Sequence, residues 1–290
     1  MKTIFVVGSI NTDLVIHAPY MPKRGETLTG NGFFSGHGGK GANQAVASSR
    51  LGGNVVMCGC VGNDSFGKEA VSTLRADGVD VSNIRVVDGV ASGTAVIVVI
   101  DGDNRIILDK GANACLTEGD IDRALANAKQ GDIYLTQLEN PIEVIGYGLK
   151  KAKELGLYVI LNPAPANVDI VPYLSYCDLI TPNETEIEIL GGKEVLLSKI
   201  ETVLTTLGSR GFEIATKEKT ETYPCLKVKA VDTTAAGDTL CGGLAAYLSL
   251  GKSLEESARF GSKSASIACT RLGAQSSIPT KNEVESYPEK

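Results

Sequence analysis

A chain of 290 residues, 43% of them apolar, has material for one large α/β domain with an appendage or two smaller domains around a buried core. A net charge of −6 argues against a general binder of nucleic acid or of anionic membrane, while leaving room for a local basic site. Seven scattered cysteines without a Cys-x-x-Cys pair suit free thiols in a reducing compartment, and two histidines, His17 and His37, are too few for a histidine-rich zinc centre.

In chain order, the first strand is expected at residues 4–7. The short apolar run breaks at Gly8-Ser9-Ile10-Asn11, too early for a secretory signal, so a cytoplasmic protein is expected. Further buried strands are predicted at 55–61, 132–135, 157–161, 178–180 and 212–215. Helices are predicted at 41–51, 66–76, 117–128, 141–155, 184–190 and 194–207. Thr117 to Asp120 and Ser253 to Glu256 both have the hydroxyl-x-x-acid pattern of a helix start. This alternation predicts a mostly parallel sheet with helices on both faces.

Two stretches interrupt it. Residues 12–36 carry β-like pieces at 14–17 and 26–34, and residues 93–109 read as a hairpin around Asp101-Gly102-Asp103-Asn104. Inserted at one end of an α/β core, they would form a small sheet of their own that covers the mouth of a site. Closure of such a lid would exclude water from the site.

Near the carboxyl end, Asp232-Thr233-Thr234-Ala235-Ala236-Gly237-Asp238-Thr239 leads into a helix marked by Leu240, Leu244 and Leu248 and closed by Gly251. The amides of residues 235–238 would lack intrahelical partners, which with the helix dipole makes an anion site. Asp238 in the first turn can take the proton of an alcohol while those amides stabilise charge on a transferring phosphoryl group. The same residues also fit an ordinary first-turn acid behind a small-residue turn.

A second constellation, Gly36-His37-Gly38-Gly39-Lys40-Gly41-Ala42-Asn43-Gln44-Ala45, formally contains a dinucleotide fingerprint, with Asp64 about twenty residues on. An NAD(P) oxidoreductase is therefore one alternative. Its context is wrong, because the fingerprint should follow the first buried strand. A phosphate-binding Walker loop is also missing, since Gly41 follows Lys40 where Ser or Thr is needed.

These two segments, with Gly8 to Asp13, Gly25-Glu26-Thr27 and Gly62 to Gly67, resemble the signatures of the ribokinase-like, or PfkB-type, carbohydrate kinases over almost the whole chain. The resemblance implies a three-layer α/β/α core with a small β-sheet lid, spanning 1–290 as one kinase domain with lid segments near 12–36 and 93–109. It also implies transfer of the γ-phosphate of Mg·ATP to the 5-hydroxyl of ribose. Asp238 is then the base, with Ala235, Ala236 and Gly237 forming the anion hole. Asn11, Asp13, Gly39, Lys40, Asn43 and Glu139 bind the sugar.

The nucleotide falls to Asn183 and to the Thr206-Leu207-Gly208-Ser209-Arg210-Gly211 loop, with Gly237, and to Ser262, which stands where some family members place Asn beside adenine. Glu186 helps hold Mg²⁺, mainly through water. Asp232, Thr234, Ala268, Arg271, Gly273 and Ser277 bind K⁺. A homodimer through the lid is implied, with no nucleic-acid or membrane partner. Deoxyribose, fructose, nucleosides and ketodeoxygluconate remain alternative substrates, and a non-enzymatic sugar-binding protein remains an alternative class.

Overall fold

The computed structural model describes residues 1–288. β1 (Thr3–Val7), β4 (Asn54–Gly62), β5 (Asp80–Val87), β8 (Ile133–Thr136), β9 (Tyr158–Leu161), β10 (Leu179–Ile180), β11 (Thr202–Thr206), β12 (Phe212–Ala215) and β13 (Thr220–Tyr223) form one sheet. Its order is β13-β12-β11-β10-β9-β8-β1-β4-β5, parallel except where β12 and β13 run antiparallel at one end.

The alternation of β1 shows how the layers are built. Ile4 and Val6 face one buried cluster with α1 (Lys40–Arg50), α7 (Ala236–Ser249) and α8 (Leu254–Ala268). Phe5 and Val7 face the other, with α3 (Glu118–Ala124) and α4 (Ile142–Glu154). A strand buried on both faces reads as a continuous apolar run, which is why β1 is visible in the sequence. α2 (Ser65–Ala76), α5 (Glu184–Ile189), α6 (Lys193–Lys199) and α9 (Lys281–Ser286) complete the helices. Capping boxes at Thr117, Asn183, Ser253 and Thr280 fix the starts of α3, α5, α8 and α9.

β2 (Asn11–His17), β3 (Asn31–Gly38), β6 (Gly93–Ile100) and β7 (Asp103–Asp109) form a separate sheet in the order β3-β2-β6-β7. β2 continues from β1 across Gly8-Ser9-Ile10, so the small sheet rises from the carboxyl end of a central strand. Its β7 is exposed throughout, with Ile106 and Ile107 59% and 68% exposed.

The expected helix over 194–207 is corrected. It ends at Lys199, and Thr202-Val203-Leu204-Thr205-Thr206 is a strand. Five residues dominated by β-branched side chains favour the pleated, buried environment between β10 and β12. The β-like piece expected at 26–34 begins only at Asn31, and the helix expected over 117–128 ends at Ala124. β5 and β13 were not anticipated. Both are half-buried or exposed strands at sheet edges and lack a dense apolar run.

Candidate active site

The sheet changes direction at β1. The chain goes to β4 on one side and β8 on the other, leaving a crevice at the carboxyl ends of the strands, where α/β sheets bind ligands. Into that crevice come the residues after β1 (Ser9 to Asn11), after β8 (Gln137 to Glu139), after β9 (Asn162) and after β10 (Thr181 to Asn183). The amino ends of α1, α5 and α7 meet them there.

Asp238 lies in the first turn of α7 and is buried. Both carboxylate oxygens are held: Asn43 Nδ2 donates to Oδ2 and Gln44 Nε2 to Oδ1, each at 2.9 Å. Gln44 also reaches Asn162 Oδ1 at 3.2 Å, and its own Oε1 accepts from Gln137 Nε2 at 2.6 Å. Asn162 Nδ2 donates to the Thr181 carbonyl at 3.0 Å. A chain of amides thus runs across α1, β8, β9 and β10 and fixes one carboxylate. Among the described residues Asn43 Oδ1 is buried with no protein partner, leaving an acceptor at the site.

Asp238, Lys40, Asn162, Thr181, Asn183, Glu186 and the segment Ala235 to Gly237 line a polar pocket of about 240 Å³. Ala235 takes a left-handed backbone conformation, φ 58°, which turns the chain into α7. The first i→i−4 bond of the helix runs from Thr239 N–H to the Ala235 carbonyl at 2.8 Å, so the amides of Gly237 and Asp238 precede the ladder. The expectation that all four amides from 235 to 238 are unengaged is corrected at Ala236, whose N–H donates to the Thr233 carbonyl at 3.2 Å in the turn.

Asp13, Glu139 and Lys40 make the charged wall. Burial first, then the charges of Glu139 and Asp238, push the Asp13 carboxyl up to about 6. Burial pulls Lys40 down, but Asp238, Glu139 and Glu186 outweigh it and hold the ammonium above its usual value. Glu139 Oε2 accepts from Ser9 Oγ and, at 3.2 Å, from the Lys40 N–H, tying β1, β8 and α1 together. Asn11 Oδ1 accepts from Asn113 Nδ2 at 2.7 Å.

Glycine is required here for close approach. A Cβ on Gly38 would lie 2.3 Å from Asp13 Oδ2. Gly39, at φ +87°, would meet the Asn11 backbone nitrogen at 2.7 Å. Asp13 also lines a cleft of about 620 Å³ between the small sheet and residues 231–234 and 272–276.

On the other side, sharing Thr206, Thr233, Ala236 and Gly237 with the polar pocket, opens a mainly apolar cleft of about 550 Å³. Gly208, Ser209, Gly211 and Ser262 line it as well. Arg210 is not among its lining residues, and its guanidinium pairs with Glu184 at the surface.

Glu186 sits on the capping box of α5, where Oε2 accepts the Asn183 N–H at 2.8 Å. Burial leads in raising its carboxyl above the usual value. Asp232 accepts from Thr234 N–H at 2.9 Å and Thr234 Oγ1 at 2.6 Å, and from Gly273 N–H at 2.9 Å. Burial opposes its ionisation, but these bonds prevail and hold it below its usual value. Asp232 therefore links the 232–238 segment to the 268–277 loop. In that loop the Ala268 carbonyl accepts the Arg271 N–H at 3.0 Å, and Arg271 Nη2 donates to Glu283 at 2.7 Å. The buried Ser277 hydroxyl donates to the Ala274 carbonyl at 2.8 Å.

Sequence reasoning gave no role to Gln44, Gln137, Asn162, Ser9 or Asn113. Gln44 lies inside the glycine-rich constellation, and Asn162 is a polar residue at a strand end before Pro163, the one signal that pointed to it.

A held carboxylate at the floor of a polar pocket, with charged and amide side chains on one side and a mainly apolar cleft on the other, suits a phosphotransferase with an alcohol group as acceptor. A pattern described as pfkB family carbohydrate kinase matches residues 1–281. The chain is 43% identical to the ribokinase of Haemophilus influenzae over 302 aligned residues, 99% of each chain. The structure of ribokinase from Thermotoga maritima aligns with a TM-score of 0.89 at 38% identity, covering 99% of both chains. That of Arabidopsis thaliana ribokinase complexed with ribose and ATP aligns at 0.86 and 30% identity, covering 98% of this chain and 97% of that one. The chain belongs to the pfkB family of carbohydrate kinases.

Proposed function

We propose that the chain transfers the γ-phosphate of ATP to the 5-hydroxyl of D-ribose, giving ribose 5-phosphate and ADP. The observation that carries this reading is Asp238, fixed at both oxygens by Asn43 and Gln44 where the sugar side and the nucleotide cleft meet.

Asn11, Asp13, Gly39, Lys40, Asn43 and Glu139 bind the sugar. Asp, Asn and Lys together offer donors and acceptors to a ring with several hydroxyls. Asp238 takes the proton of the primary hydroxyl as its oxygen bonds to the γ-phosphorus. The bond to the β-phosphate bridging oxygen breaks, and ADP leaves with that electron pair. The amides at the start of α7 stabilise the charge that develops. The nucleotide occupies the apolar cleft, its phosphates toward Gly237 and Asn183 and its base toward Ser262. The oxygen-lined pocket around Glu186 suits a hydrated Mg²⁺, which neutralises phosphate charge when bound. Asp232, Thr234 and the 268–277 loop supply oxygens for K⁺, and ordering of this loop steadies residues 232–238 through the Asp232 bonds.

The exposed Phe33, Phe34, Ile106, Ile107 and Leu108 of the small sheet support a homodimer through the lid. A cytoplasmic enzyme agrees with seven free cysteines. Among the described residues no helix is long and apolar enough to cross a membrane.

ADP release is the test, measured with ribose, deoxyribose, fructose, adenosine and ketodeoxygluconate in K⁺ and in Na⁺ buffers. Ribose in K⁺ should give the highest kcat/KM. Release with none of the sugars would sink the kinase reading, and preference for deoxyribose would reassign the substrate.

A further inference from the structure

Gln137, 1% exposed, follows β8 and ends the chain of amides that reaches Asp238. The direction of that chain is set at its other end. The Thr181 carbonyl can only accept, so Asn162 gives it Nδ2 at 3.0 Å and turns Oδ1 toward Gln44. Gln44 therefore faces two acceptors, Asn162 Oδ1 at 3.2 Å and Asp238 Oδ1 at 2.9 Å, and meets both with Nε2, whose two hydrogens are then used. Its Oε1 must point the other way, where Gln137 Nε2 donates to it at 2.6 Å.

The same constraint leaves Gln137 Oε1 with nothing. It is buried against Gly8, where the missing Cβ makes room for it, and among the described residues it has no protein partner. A buried acceptor without a donor destabilises a fold, and an apolar side chain of similar size would avoid that cost. Reversing the amide gives no relief, since it would set Gln137 Oε1 against Gln44 Oε1. What glutamine supplies at this position is the donor on its other arm. The backbone does not depend on that side chain: Leu138 is buried in the cluster with Ile145 and Leu149 of α4, and its N–H donates to the Ala164 carbonyl at 3.1 Å. Glu139, next along, keeps its own bonds to Ser9 and Lys40.

We propose that Gln137 is a positioning residue for phosphoryl transfer: by donating to Gln44 Oε1 it holds the Gln44 amide with Nε2 on Asp238, and so aims the carboxylate at the hydroxyl it deprotonates. The proposal rests on Asp238 as the base. Gln137 is not among the residues lining the polar pocket, the apolar cleft or the cleft beneath the small sheet, so it acts through Gln44 alone. Without its donor, Gln44 Oε1 is buried unpaired and the amide tilts away from Asp238, leaving Asn43 as the one firm hold on the carboxylate.

The experiment measures kcat, KM for ribose and ADP affinity in Gln137→Met and Gln137→Leu, both near glutamine in size and without a donor. Each is made in the wild-type and in the Gln44→Ala background, with active protein counted by ADP titration. In the wild-type background each should lower kcat about fivefold, the worth of one hydrogen bond, with KM for ribose and Kd for ADP within about twofold. In the Gln44→Ala background each should change kcat by less than about 1.5-fold, because the group through which Gln137 acts is gone.

Wild-type kcat in both variants, losses that multiply with that of Gln44→Ala, or an equal loss of ribose or ADP binding would overturn the proposal. So would failure of both variants to fold, which would assign Gln137 to the core instead. Asp238→Asn tests the base reading by itself. If it turns over like the wild type while Gln137 and Gln44 remain coupled, the failure falls on that reading.

Discussion

On the proposed function, the sugar side and the nucleotide side of the site are built on opposite principles. On the sugar side, Asn11, Asp13, Lys40, Asn43 and Glu139 come from β2, α1 and the segment after β8, packed so closely that glycine is needed at 38 and 39. On the nucleotide side, the cleft is lined by small and apolar residues, and a Cβ added to Gly237 would meet nothing within 4 Å, whereas Gly208 and Gly211 hold positive φ and a Cβ on Gly211 would lie 2.0 Å from the Tyr223 carbonyl oxygen. The first side recognises with particular charged and polar atoms, so each is sensitive to substitution. The second recognises with shape and backbone amides and should absorb most side-chain changes outside its positive-φ glycines.

Asp238 is where the two sides join, and replacing it gives the largest effect. Asp238→Asn keeps the size of the group and removes its basicity, so kcat should fall by at least about 10²-fold with ribose binding less affected. Turnover near wild type would end the base assignment. Gly38→Ala comes next. Its new Cβ would displace the Asp13 carboxylate, and a displacement of about 1 Å at a reacting or binding group costs about 10²-fold. The loss should appear in kcat/KM for the sugar with ADP affinity unchanged, and an equal loss on both substrates would break the contrast between the sides. Gln44→Ala removes one of the two donors to Asp238 and should lower kcat about tenfold, the worth of one hydrogen bond to a charged group.

The layered fold was legible because buried parallel strands write continuous apolar runs, as in β1, and because capping boxes at Thr117 and Ser253 mark helix starts. β11 was misread as helix because Glu194 to Thr206 has no glycine or proline to mark the break at Ile200. The site was legible where chemistry clusters locally, as in Gly39 to Asn43 and Asp232 to Asp238. Gln44, Gln137 and Asn162 were not, since each acts through a partner 93 to 194 residues away that only the sheet order brings near.

Asp13 gives the sugar side a pH signature of its own. Burial, then the charges of Glu139 and Asp238, raises its carboxyl from 3.8 to about 6, so the folded protein binds this proton more tightly than the unfolded chain. Stability contributed by the group is therefore present at low pH and is lost as pH rises from about 4 through about 6. At neutral pH the apo protein holds an unfavourable charge. Asp13→Asn should raise the apo Tm by about 2–5 °C near neutrality, with the gain vanishing below about pH 4, while sugar binding is lost. In the wild type, KM for ribose should rise up to about tenfold as pH falls one unit below the Asp13 value, because the protonated acid loses acceptor capacity. An ADP affinity that tracked the same titration would mean that Asp13 serves both sides.

The smallest effect should come from Ser262, at the base end of the cleft. It is 6% exposed, and its carbonyl already accepts the Ser266 hydroxyl at 3.0 Å, so only its side-chain oxygen is left to address a base. Removing one neutral hydrogen bond costs about 1 kcal/mol, so Ser262→Ala should raise KM for ATP by no more than about fivefold and leave KM for ribose and kcat as they are. The value of this substitution lies in its contrast with Gly38→Ala, which adds a single carbon. If Ser262→Ala cost as much, nucleotide affinity would rest on one side chain, and the division between a side read by particular atoms and a side read by shape would fail.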